Sequence, residues 1–139
     1  MSLTLWASRM RGQAIRGEAM GLYPIYIDLD NIKPNKQDIE RKLAMLGLHG
    51  ARVYWRRSSH KNHYHLRVEI FGTYSISNEY FLDTLIIRAL LNDDAKRIAS
   101  DLRRMVLYPS SWQDRVNRLF DYKISKGKML KAGRWHRLL

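Results

Sequence analysis

The sequence of 139 residues contains no cysteine. Without thiols the chain has no disulfide framework, no thiolate zinc site and no cysteine nucleophile. Long apolar runs are missing as well, since no stretch approaches the roughly 20 residues of a membrane-spanning helix. The N-terminal segment has no apolar core of the kind that a secretory signal peptide carries. We therefore expect a cytoplasmic protein that does not insert into a membrane.

Acidic residues are scarce, with 13 Asp and Glu against 25 Lys and Arg and a formal net charge of +12. Such an excess favours a polyanionic partner, most often nucleic acid, bound in a salt-dependent way. The chain also has 4 Trp and 8 Tyr, whose rings can stack on bases, so we expect single-stranded DNA or RNA as the partner. The alternative is the solvated charge of a heat-adapted surface. A small, basic chain without cysteine would suit a virus or a mobile element, and the sequence leaves the oligomeric state open.

With 45% hydrophobic residues, a chain of this length is expected to form one folded domain. We expect a flexible basic arm at residues 1–20, an α+β domain at residues 21–125 and a basic tail at residues 126–139.

Two segments alternate apolar and polar residues, as strands with one buried face do. In the first, over residues 22–30, Ile27 and its apolar neighbours would face the core, with Asp28 and Asp30 on the opposite side. In the second, over residues 63–71, His63 and His65 share the polar side. Further strands are predicted over residues 52–57 and 118–124. Three helices are predicted in between: one that begins at the N-cap Asn35, one with an apolar side at Leu82, Leu85, Ile86 and Ala89, and one with a basic side at Lys96, Arg97, Arg103 and Arg104.

The order of predicted elements is β-α-β-β-α-(α)-β. It indicates a ferredoxin-like or RRM-like antiparallel sheet with helices on one face, plus an extra helix. Right-handed connections in such a sheet place the first and third strands side by side. Two carboxylates and two imidazoles would then meet on the uncovered face. Because carboxylates suit Mg²⁺ or Mn²⁺, we predict a divalent metal site formed by Asp28, Asp30 and His63, with His65 beside it.

The same residues carry a family resemblance. Tyr26–Asp30 resembles the hydrophobic-D-x-D first motif of the archaeo-eukaryotic primase (prim-pol) superfamily, and Ser58–Leu66 resembles its second motif, a serine and a tight loop before a histidine-bearing strand. Phe120-Asp121 fits the third motif, a strand-borne acid. The resemblance implies an RRM-like palm, Asp28 and Asp30 as catalytic metal ligands, and His65 with Ser59 as contacts to nucleotide phosphate. The loop departs from the family pattern, with Asn62 and His63 where a glycine is usual.

Two other functions stay open. His63-Tyr64-His65 is similar to the metal-binding strand of HUH replication nucleases, which cut DNA with a tyrosine nucleophile on a helix. Tyr80 and Tyr122 are the tyrosines considered for that role. An RRM-like sheet without catalysis, with Tyr26, Tyr54 and Phe71 stacking on bases, would instead be a single-strand-binding module. The sequence does not decide whether the protein is an enzyme. If it is one, we expect a metal-dependent nucleotidyltransferase or nuclease.

Residues expected to contact nucleic acid share a basic or aromatic side chain, or a hydroxyl in the second-motif loop. They are Tyr26, Arg52, Tyr54, Arg56, Ser59, Lys61, Arg67, Lys126, Lys128 and Arg134.

Overall fold

The computed structural model describes residues 20–73 and 78–139, so the predicted N-terminal arm lies outside the described residues except for Met20. The described residues form an α+β fold, as predicted. In chain order its elements are β1 (Met20–Asp30), α1 (Lys36–Met45), β2 (Arg52–Arg57), β3 (His63–Thr73), α2 (Asn78–Leu90), α3 (Ala95–Leu107), a 3-10 turn (Trp112–Asp114), β4 (Tyr122–Ser125), β5 (Lys128–Lys131) and β6 (His136–Arg137). Across the part of the chain that the structure describes, every helix is too short or too polar to cross a membrane.

The main sheet is antiparallel and has the order β1-β3-β2-β6. The predicted adjacency of the first and third strands is confirmed, with Asp28 opposite His65 and Asp30 opposite His63. The predicted ferredoxin-like order is not confirmed, because its fourth strand would lie beside β1. The strand predicted over residues 118–124 is wrong in this respect, since β4 pairs with β5 in a separate two-stranded hairpin.

Side chains, not a strand, satisfy the outer edge of β1. Asn117 accepts a hydrogen bond from the Tyr26 N–H at 2.9 Å and donates to the Pro24 carbonyl at 2.9 Å. Asp93 accepts from the Asp28 N–H at 2.8 Å. An unpaired edge invites a further strand, and these bonds use the groups with which such a strand would pair. This is the physical reason why the predicted last strand is absent from the sheet.

The hydrophobic core lies between the apolar sheet face and two helices. Ile25, Ile27 and Leu29 of β1 are at most 2% exposed, and the facing residues of β3 are buried beside them. Ile39 of α1 and Ile87 of α2 pack onto this surface, so these helices cover one face as predicted. Helix α1 begins where the sequence indicates, because the Asn35 side chain accepts the Asp38 N–H at 2.9 Å.

Helix α3 and the 3-10 turn pack on α2 through a second apolar cluster, which contains Phe81, Leu85 and Trp112. Of the residues on the apolar side that the sequence suggests for α2, Leu82 and Ile86 are 46% and 49% exposed. Leu85 of that side is buried, but the rest of the buried surface is formed by other residues of the helix, among them Ile87 and the ion-paired Arg88. Arg88, which is fully buried, donates to Asp93 and Asp101 at 2.6 and 2.7 Å.

Residues 126–139, predicted as a basic tail, are part of the folded domain. Lys128–Lys131 pairs with β4, and His136–Arg137 pairs with β2. Leu138 and Leu139 then pack against the main core. Between β5 and β6 the chain crosses the polar face of the sheet, where Trp135 lies over Tyr26 with ring centres 6.5 Å apart.

Candidate functional site

The four ionisable side chains predicted to converge do lie together at one end of the β1–β3 pair. His63 Nε2 is 3.1 Å from Asp30 Oδ1, and His63 Nδ1 is 3.9 Å from Asp28 Oδ1. His65 Nε2 is also 3.9 Å from Asp28 Oδ1. The antiparallel register produces this cluster, because residues directly opposite each other in a pair of strands point to the same face.

Asp28 is the carboxylate at the centre of the cluster. Its Oδ1 atom is buried and accepts no hydrogen bond within the described part of the chain. Burial raises the pKa of the Asp28 carboxyl above its ordinary value, while the charges of Arg97 and His63 oppose that shift. A buried carboxylate oxygen with unused acceptor capacity is a place where a cation or a donor from a ligand would be stabilising.

His65 is held in one protonation state. The Nε–H of Arg56 donates to His65 Nδ1 at 2.9 Å, and both side chains are nearly buried. Burial lowers the pKa of the imidazole to about 4, and the Arg56 charge adds to the shift, so the ring is neutral at neutral pH. An arginine only donates, so the proton of the neutral ring is assigned to Nε2, on the side of Asp28. His65 therefore offers a hydrogen-bond donor, and Nε2 has no lone pair for a metal in this state.

Arg56 extends this chain of contacts to Asp121. Its NH1 group donates to Asp121 Oδ1 at 2.9 Å, and the Asp121 side chain is 82% exposed. Asp121 was predicted within a strand but lies just before β4, and it reaches the site through Arg56, two hydrogen bonds away from the imidazole of His65.

The loop of the second motif is shaped by an asparagine. Asn62 has φ +59°, a left-handed conformation that asparagine tolerates better than most residues. Its carbonyl accepts the Asn31 N–H at 2.8 Å, which ties the loop to the end of β1. Asn62 thus adopts a backbone conformation that glycine often supplies. Lys61, beside it, is exposed at the tip of the loop.

A cavity of about 460 Å³ opens from the cluster toward α3 and the segment that follows the 3-10 turn. Asp28 and His65 line it together with the loop hydroxyls of Ser58 and Ser59. The walls are cationic, with six basic side chains against the carboxylates of Asp28 and Asp101. These six are Lys96, Arg97, Arg104, Arg115, Arg118 and Lys123.

Sequence reasoning missed this basic wall. On α3 the cations read as one solvated side of an amphipathic helix, which is their usual role. Arg115 lies in irregular chain after the helix, and Arg118 begins the segment that was predicted as a strand of the main sheet, so neither was expected beside α3. The sequence does not show that α3 lies beside β1. That position depends on the Asp93 and Asn117 side chains, which form hydrogen bonds with the backbone at the outer edge of β1.

The predicted binding residues of the polar sheet face are largely covered. Trp135 lies over the guanidinium carbons of Arg56 and Arg67, at 4.5 and 4.9 Å from its ring centre. The Tyr54 ring is contacted by Arg67 at 4.5 Å. Tyr26 lies against Trp135, while Arg52 and Arg134 are exposed. The side chain of Phe71 lies outside those that the structure describes.

The two tyrosines considered as nucleophiles differ in position. Tyr80 belongs to α2, and its side chain lies outside those that the structure describes. Tyr122 begins β4, is 56% exposed and lines the same cavity as His65.

Asp28, Asp30 and His63 are the predicted ligands of a divalent metal ion. Within residues 20–73 and 78–139, no three or more His, Asp or Glu side chains are arranged as a ready cation site. The His63 ring lies between the Asp28 and Asp30 carboxylates and faces one with each nitrogen. The unpartnered Asp28 oxygen and the nearby Asp30 oxygen fit Mg²⁺ or Mn²⁺ chemically. An ion held by both carboxylates would compete with His63 for the same carboxylate oxygens.

Comparisons with protein-family models, curated proteins and solved structures gave no significant match to this chain.

Proposed function

We propose that the protein binds nucleic acid and holds nucleotide phosphates in the cavity between β1, β3 and α3, as the palm of prim-pol enzymes does. The observation that carries this proposal is the cavity itself. It combines the acceptor Asp28, the donor His65 and a cationic wall in one space. A volume of about 460 Å³ lies within the range of small-molecule and cofactor sites.

The charge balance of the cavity favours an anion. Arg97 and Arg104 are already paired with Asp93 and Asp101, at 2.5 and 2.9 Å. Lys96, Arg115, Arg118 and Lys123 make no ion pair with a described carboxylate. Four cations without carboxylate partners around one space match the charge of a polyphosphate, and guanidinium groups bind phosphate oxygens through two parallel hydrogen bonds.

The neutral His65 suits the same ligand. Its Nε2 atom lies on the side of Asp28, which also lines the cavity, and its N–H can donate to a phosphate oxygen without adding a charge that would repel a metal ion. In this proposal Asp28 and Asp30 hold Mg²⁺ or Mn²⁺, and the ion polarises the phosphate when bound. Arg56 then positions the imidazole of His65, and its own burial keeps it from acting as a direct phosphate contact.

Calorimetric titration of a non-hydrolysable nucleoside triphosphate with Mn²⁺ tests the proposal. Arg118→Gln and Lys96→Gln should each weaken binding about tenfold, since a charge-assisted hydrogen bond contributes about 1.5 kcal/mol or more. Arg103→Gln is the matched control, because Arg103 is exposed on α3 and does not line the cavity. Equal affinity in wild type and the two cavity variants would refute phosphate binding here.

Catalysis is a separate question with its own assay. Template-directed incorporation of nucleotides, abolished by Asp28→Asn, would make the protein a nucleotidyltransferase. Binding that survives without incorporation would make it a non-catalytic module.

A nicking nuclease is the second candidate, and one observation favours it. Tyr122 lines the cavity together with His65, as a nucleophile would need to. The hydrogen bond from Arg56 counts against it, because it keeps the His65 proton on Nε2, where an HUH metal would bind. A covalent protein–DNA adduct that disappears in Tyr122→Phe would decide for the nuclease.

A further inference from the structure

The β4–β5 hairpin carries an exposed apolar surface that its position in the fold leaves uncovered. Tyr122, Ile124 and Met129 share one face of the ribbon, because Ile124 is opposite Met129 and Tyr122 is two residues away on the same strand. They are 56%, 68% and 58% exposed. Phe120, just before the hairpin, is 82% exposed. Exposed apolar groups so close together mark a surface that binds a partner.

The hairpin is well formed despite this exposure. Its two-residue turn, Lys126-Gly127, has φ +52° and +74°, the left-handed pair of a type I′ turn that matches the twist of the strands. At its base Ala132 donates to the Asp121 carbonyl at 2.8 Å. In the described residues no third strand joins this pair. Two-stranded ribbons are marginal in water, so a bound partner that covers the apolar face would stabilise this one.

The charge of the hairpin indicates which partner. Lysines occupy both strands and the turn, and residues 122–139 contain no Asp or Glu. The lysines are Lys123, Lys126, Lys128 and Lys131. A single-stranded nucleic acid offers what this surface lacks: phosphates for the lysines and base faces for the rings of Phe120 and Tyr122. Paired bases in a duplex would present only their edges to these rings.

The base of the hairpin adjoins the cavity. Tyr122 and Lys123 of β4, and Phe120 just before it, are among the residues that line the cavity. We propose that the β4–β5 hairpin binds a single-stranded nucleic acid and directs its end into the phosphate-binding cavity. The second half of this statement rests on the proposed function, whereas the first half does not.

Fluorescence anisotropy of a labelled oligothymidylate tests the hairpin, because the two lysines changed at its tip do not line the cavity. Lys126→Asn/Lys128→Gln removes two charges at the tip, and asparagine keeps the left-handed turn. Affinity should fall about tenfold near physiological salt, and the slope of log affinity against log salt should decrease by about 1.4. Phe120→Ala should weaken binding about fivefold or more through lost stacking.

Lys33→Gln/Lys36→Gln is the matched control, because it removes the same charge from exposed positions at the start of α1. Hairpin variants that bind as the control does would overturn the proposal. So would equally tight, hairpin-dependent binding of a duplex of the same length. A dimer in sedimentation that only the hairpin variants dissociate, with DNA binding unchanged, would assign the ribbon to a second copy of the chain instead.

Nucleotide titration separates this proposal from the proposed function. Hairpin-dependent oligonucleotide binding without any triphosphate binding would preserve the strand-binding hairpin and reject the cavity. Triphosphate binding that is intact in Lys126→Asn/Lys128→Gln, together with weakened oligonucleotide binding, is the result expected if both hold.

Discussion

Replacing Asp93 should destabilise the protein more than replacing any exposed acid. Its side chain is fully buried and accepts from Arg88 Nε at 2.6 Å and Arg97 NH1 at 2.5 Å. It also accepts from the backbone N–H groups of Asp28 and Asp94 at 2.8 and 2.9 Å. One carboxylate therefore joins α2, α3 and the edge of β1.

The magnitude follows from what Asp93→Ala leaves behind. Arg88 would keep only Asp101 as a buried counter-charge, and the Asp28 N–H would lose its acceptor. Breaking a buried ion pair by removing one partner costs about 3–5 kcal/mol. Domains of this size are stable by about 5–15 kcal/mol, so we expect Asp93→Ala to lose a large part of the free energy of unfolding. Asp93→Asn keeps an acceptor for the Asp28 N–H and should lose less.

Urea denaturation followed by tryptophan fluorescence measures this loss, since Trp112 is buried beside α2 and α3. Asp38→Ala is the control, because Asp38 forms only partly exposed ion pairs with Arg41 and Lys42 on α1. Exposed pairs of this kind contribute about 1 kcal/mol or less. A loss below about 1 kcal/mol in Asp93→Ala would refute the reasoning, because the buried network would then not hold the sheet edge to α3.

Three further results are expected around the cluster. Arg56→Gln should release the proton of His65 from Nε2, and the ring nitrogen shifts in NMR would show a mixture of tautomers; an unchanged Nε2–H signal would contradict the assigned role of Arg56. The pKa of His65 is about 4 in the folded protein and 6.5 for an ordinary histidine, so between these pH values the unfolded state binds one more proton than the folded state. The free energy of unfolding of the metal-free protein should therefore fall by up to about 3 kcal/mol as the pH falls from 6.5 to 4. His65→Gln should remove that loss, whereas the raised pKa of Asp28 acts in the opposite direction and stays in both proteins. Mn²⁺ binding measured by electron paramagnetic resonance should disappear in Asp28→Asn and persist in His63→Ala, while loss in both would make His63 a required ligand.

Alternation along single strands predicted the centre of the site. A period of two fixes which side chains share a face, and bringing the two Asp and two His side chains together needed one further assumption about strand order. The register that places Asp28 opposite His65 is seen only in the structure. The N-cap of α1 at Asn35 could be predicted for a similar reason, since it depends on two residues only three positions apart in the sequence.

The failures have a different physical origin. The buried side of α2 could not be predicted because Arg88 lies inside, and its burial depends on acids at positions 93 and 101. The predicted place of the last strand was wrong for a related reason. The Asn117 side chain forms the hydrogen bonds with β1 that the backbone of that strand would have formed. In both cases polar side chains distant in sequence replace the apolar or backbone contacts that periodicity detects. The covering of Tyr26 and Arg56 by Trp135 likewise depends on the path of the C-terminal segment.

The closed edge of β1 also limits how copies of the chain can associate. A neighbouring molecule that tried to add a strand there would first have to displace Asn117 and Asp93 from the backbone, and would gain only bonds equivalent to those it broke. The opposite edge is the two-residue β6, too short to template a long pairing. Growth of this sheet into domain-swapped or fibrillar assemblies is therefore disfavoured at both sides, which suits a protein whose β4–β5 hairpin exposes so much apolar surface.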